Sequence, residues 1–114
     1  MEDPTRENMD DLGTFLEQEI GGKLTTSPKQ RGEKRSHILE RVPSEVVLEE
    51  IGDAIQRFYD HHTFTTEPER PSERGSMYFQ KDNIRSTVDI TYFKEDQTLL
   101  VVVNYQGGNY EDAP

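Results

Sequence analysis

The residues best suited to chemistry in this chain lie together in the stretch RFYDHHTFTT, residues 57–66. Tyr59, Asp60, His61 and His62 set a phenol, a carboxylate and two imidazoles side by side. Imidazole titrates near neutral pH, so such a group could act as a general base or hold a metal ion. The spacing argues against both. A metal centre takes three or four convergent ligands, and adjacent side chains diverge on a helix or a strand. His37, the one other histidine, lies far upstream. A histidine at a helix C-terminus has a simpler role, because it interacts favourably with the last carbonyls. The stretch therefore reads as the end of a helix.

Other routes to catalysis are weaker. Glu49 and Glu50 are paired carboxylates, but the pattern around them puts both on a solvated helix face, with nothing to split their pKa values. Gly21-Gly22 and Gly107-Gly108 lack the spacing of a phosphate-binding loop. No serine sits in a nucleophile-elbow pattern. The chain has no cysteine, which removes thiolate zinc sites, disulfides and a thiol nucleophile together. A non-catalytic protein is expected, with no catalytic, metal-ligating or cofactor-binding residue and no cofactor.

Composition bounds what remains. A chain of 114 residues is expected to form one small domain. Its hydrophobic share of 31% and charged share of 32% are matched by a mean hydropathy of −0.92. That is low for a compact domain, so part of the chain is expected outside the core. The polar start MEDPTRENMDD has no signal-peptide pattern, and the longest apolar run is LLVVV. A cytoplasmic protein without membrane contact is expected. The net charge of −10 is uneven. Residues 1–22 carry seven acids and one base, whereas residues 23–41 carry six bases and two acids.

The elements follow from periodicity. Met9, Leu12, Phe15, Leu16 and Ile20 make a faint helical stripe over residues 10–20. A helix that short is marginal alone. Residues 21–36 are rich in Gly, Ser, Thr and charge and read as a linker. Residues 1–36 are thus expected to be a flexible segment with a short helix, residues 37–106 a compact α+β domain, and residues 107–114 a disordered tail. The strongest signal is PSEVVLEEIGDAIQRFYDHH. Val47, Leu48, Ile51, Ala54, Ile55, Phe58 and Tyr59 share one face at 3.6 residues per turn. Glu45, Glu49, Glu50, Asp53 and Asp60 form an acidic arc opposite, and Ser44 is the expected N-cap. Past residue 62 the period becomes 2. TFTTE, SMYFQK, IRSTVDITYF and TLLVVVNY read as strands, the last two joined by the polar turn KEDQ. The fold class is α+β: one main amphipathic helix on an antiparallel sheet of three or four strands.

Alternation then sorts the sheet into two faces. Met77, Phe79, Val88, Ile90, Tyr92, Leu99, Val101 and Val103 are expected to pack on the helix. Tyr78, Thr87, Asp89, Thr91, Phe93, Leu100 and Val102 are left on the other face, which is more apolar than a solvated sheet face usually is. A small acidic binding or adaptor protein is the expected function. Tyr78, Phe93, Leu100 and Val102, with Leu12, Phe15 and Leu16 of the N-terminal helix, are expected to meet another protein or a second copy of the chain. Toxin-neutralising immunity proteins and secretion chaperones are comparable in size, charge and class, an analogy without a shared motif. The alternative is a nucleic-acid module, with Lys29, Arg31, Lys34 and Arg35 holding phosphates and sheet aromatics stacking on bases.

Overall fold

The computed structural model describes residues 11–26, 33–67 and 75–107. Its elements in chain order are α1 (Leu12–Ile20), β1 (Lys23–Leu24), β2 (Lys34–Glu40), α2 (Leu48–His61), β3 (Thr65–Thr66), β4 (Ser76–Lys81), β5 (Ile84–Phe93) and β6 (Thr98–Gln106). The strands make one antiparallel sheet in the order β1-β2-β6-β5-β4-β3. The class is α+β, with two α-helices and six strands among the described residues instead of one main helix and three or four strands.

The strand additions come from the stretch expected to be a linker. β2 inserts beside β6 with Ile38 opposite Leu100 and Ser36 opposite Val102. β1 pairs with the far edge of β2. The long strands β5 and β6 are thereby central. The edges β1 and β3 have only two residues each, a short edge that offers little to a stray strand.

α2 buries Ile51, Ala54, Ile55, Phe58 and Tyr59, as its 3.6-residue period requires. They join Met77, Phe79, Val88, Ile90, Leu99, Val101 and Val103 in a single core, against which Tyr92 packs. The helix starts later than expected. Ser44 is not its cap: the N-cap is Val47, whose side chain has no hydrogen-bonding atom. Glu50 compensates, its carboxylate accepting from the Val47 N–H at 3.1 Å. Val47 itself, assigned to the apolar face, is 45% exposed because it precedes the helix.

α1 is a correction of a different kind. Leu12 and Leu16, expected to reach a partner from a flexible segment, have no exposed surface and belong to the core. Phe15 packs its ring 5.5 Å from that of Phe58. Gly13 explains the close approach. A Cβ there would lie 2.9 Å from His37 Nδ1 and 2.8 Å from Leu24 Cδ1. The Glu17 carboxylate accepts from the Leu24 N–H at 2.8 Å, and Arg57 of α2 pairs with Glu19 at 2.6 Å. Both partners of that ion pair are well exposed, so it contributes about 1 kcal/mol or less. Burial of the two leucines is what holds α1 down. The compact region therefore includes α1, β1 and the start of β2, all inside the span expected to be flexible.

Candidate functional site

The histidine stretch ends α2 as expected, with His61 in the last turn and His62 at the C-cap. The two rings meet edge-on with centroids 5.4 Å apart. His62 also rests on Phe58, centroids 4.6 Å apart. Together with Asp11, Thr14, Phe15 and Gln18 they line an open cleft of about 400 Å³ between α1 and α2. Burial, and then the charge of His61, hold His62 below the usual imidazole value, with Asp11 pulling the other way. Among the described residues no three His, Cys, Asp or Glu side chains are placed to hold a metal ion. The cleft is a seam between two helices with an aromatic floor.

A second polar group lies inside the core. Arg35 and His37 occupy inward positions of β2 and are fully buried. The Arg35 guanidinium sits 5.8 Å from the centre of the Tyr105 ring. Nearby, the Tyr59 hydroxyl and Ser86 Oγ are 2.7 Å apart. Burial pushes the Tyr59 phenol up to about 12, against the opposing effect of hydrogen bonds from Ser86 and Tyr105. Burial, reinforced by the Arg35 charge, lowers His37 to about 4. His37 is thus a neutral imidazole, and among the described residues neither ring nitrogen has a hydrogen-bond partner. Leaving such a group dry costs on the order of 1–3 kcal/mol.

These positions bear on the nucleic-acid alternative. Arg35 was expected to hold a phosphate from a linker, but β2 turns it inward, beneath the helices. Lys34 is exposed on the opposite side of the same strand. Lys29 and Arg31 lie outside the described residues.

The outward face of the sheet brings the remaining expected residues together. The register sets them in rows across the strands. Phe93 opposes Thr98 in one row; Ile38, Leu100 and Thr91 form the next. Ser36, Val102, Asp89 and Ser76 follow, and then Lys34, Asn104, Thr87 and Tyr78. Leu100 and Val102 are central, while Phe93 and Tyr78 stand at opposite ends, three rows or about 20 Å apart. Phe93 is 49% exposed, and Tyr78, Leu100 and Val102 are half-buried among their neighbours. The acidic residues Glu45, Glu49, Glu50, Asp53 and Asp60 are exposed too, but on the helical side of the molecule. Both helices cover the inward face; among the described residues no helix or strand lies over the outward one.

Ile38 and Ser36 belong to this surface and were not foreseen. Their signal was present as alternation in KRSHILE, hidden because the inward positions hold an arginine and a histidine. No helix among the described residues is long and apolar enough to cross a membrane. Comparison of the chain with protein families, with curated proteins and with solved structures finds no match.

Proposed function

We propose that the protein is a non-catalytic binding protein whose working surface is the outward face of the sheet. One observation carries this reading: Ile38, Leu100 and Val102 sit side by side at the centre of a face over which no other described element packs. Aliphatic side chains in the middle of a solvated sheet gain free energy when a second surface excludes water from them, about 25 cal/mol per Å² of apolar area. The acidic helix face needs no partner to account for it, since exposed carboxylates are well solvated.

The test compares immobilised wild-type chain with a chain carrying Phe93→Lys and Val102→Lys. Both are outward positions, so the variant is expected to fold. A protein retained by the wild type at high salt and lost from the variant supports the reading, because apolar contacts survive screening. Identical retention by both chains contradicts it and shifts the contact to the helical side.

A further inference from the structure

We infer that the partner on this face is a second copy of the chain, related by a two-fold axis running along β6. The inference rests on the reading of the outward face as the docking surface and names its occupant. Charge distribution points there first. The whole chain carries −10, so two copies repel each other wherever acid meets acid. On the outward face of β1, β2, β5 and β6 the charged residues are Lys23, Lys34 and Arg85 against Glu40 and Asp89. That balance is close to neutral. The helical side instead presents Glu49, Glu50, Asp53 and Asp60. Two copies approaching sheet to sheet keep these acids apart.

The arrangement across the face is also self-complementary, as an isologous interface requires. Leu100 and Val102 lie on β6, the strand flanked by β2 on one side and β5 on the other. An axis along β6 sets Leu100 and Val102 against themselves and lays the β2 flank over the β5 flank of the second copy. Ile38 then meets Thr91, and Ser36 meets Asp89. Lys34, one row from Ser36, comes within reach of the same carboxylate. Within one chain β6 separates Lys34 from Asp89, and Asp89 accepts instead from Ser76 Oγ at 2.9 Å. Parallel alignment of stacked sheets, offset by their twist, is the common geometry of sheet-on-sheet packing. The two-residue edges β1 and β3 make edge-to-edge pairing the poorer route. Four central strands at about 4.8 Å spacing and about 20 Å of length give a flat area on the order of 400 Å² per copy. Side-chain relief enlarges that value, which remains at the low end of specific interfaces. The dimer is therefore reversible and dissociates on dilution through the micromolar range. Each side of it displays one acidic helical layer.

Sedimentation equilibrium of the full chain across micromolar concentrations is the experiment. The wild type is expected to move reversibly between the mass of one chain and of two. Leu100→Lys with Val102→Lys should remain monomeric, with a far-UV circular dichroism spectrum like that of the wild type. Lys34→Asp alone and Asp89→Lys alone should each weaken the dimer by about tenfold, and the two together should restore most of the loss. The charge variants lie on the surface, so they decide the matter even if the double-lysine chain fails to fold. A wild type that stays monomeric throughout overturns the self-pairing; retention by the immobilised wild-type and Phe93→Lys, Val102→Lys chains then tests the docking face separately. A dimer indifferent to the charge reversals, or one whose losses simply add, overturns the axis along β6.

Discussion

Leu99 and Leu100 are neighbours on β6 and face opposite ways. Leu99 has no exposed surface and packs in the core, while Leu100 stands on the outward face between Ile38 and Thr91. The same division runs through every central strand. The inward residues are covered by α1 and α2 and even enclose an arginine and a histidine. The outward residues are apolar at the centre and near-neutral at the flanks. What separates the faces is what each is for: the inward one supplies stability, and in the proposed account the outward one supplies association. Substitutions on the inward side should move the melting temperature, and those on the outward side the mass in solution.

The largest effect is expected from removing residues 1–22. That deletion strips Leu12 and Leu16 from the core, and each fully buried leucine is worth about 1.5–3 kcal/mol. A loss of roughly 3–6 kcal/mol in urea unfolding is the expected outcome, whereas a detached recognition helix would leave the midpoint in place. Phe58→Ala comes next. Phe58 is 3% exposed and touches Phe15, Tyr59 and His62, so truncation should cost about 3–5 kcal/mol. A folded variant of unchanged stability would mean that α2 does not bury this face.

Acid should reveal His37. Its folded value is about 4 against 6.5 for an ordinary histidine, so the unfolded chain takes up the proton first as pH falls. This group contributes no pH dependence above about 7. Stability then declines from about pH 6.5 to pH 4, by on the order of 3 kcal/mol in all. His62, also held low, acts in the same direction. Melting curves between pH 7 and 5 should therefore flatten in His37→Leu, and less so in His62→Gln. The smallest effect on stability belongs to the outward face. Val102→Lys should change unfolding free energy by about 0.5 kcal/mol or less. A large loss there would mean that the face is part of the core.

Some of this was legible in the sequence. α2 and the strands β4, β5 and β6 announce themselves because their inward positions are all but uniformly apolar, so the 3.6- and 2-residue periods are clean. β2 does not, since Arg35 and His37 point inward and Ile38 outward. Its polar and apolar residues do not separate cleanly by face, so the stretch resembles a charged linker. α1 shows another limit. The apolar stripe of a nine-residue helix looks the same whether it docks on its own sheet or on a partner. What decides is the fit of Gly13 over His37 and Leu24, a long-range contact that periodicity does not contain. The candidate surface inherits this division: Leu100, Val102, Tyr78 and Phe93 follow from β4–β6, while Ile38 waits on β2.

Hydroxyl-radical footprinting against concentration compares the two faces residue by residue. Leu100 and Ile38 face outward; Leu99 and Leu39, next to them in the chain, face the core. As the chain is concentrated from nanomolar to high micromolar, oxidation of Leu100 and Ile38 is predicted to fall, while that of Leu99 and Leu39 stays low throughout. Oxidation of Leu100 and Ile38 that does not change with concentration would contradict the pairing of two copies through this face.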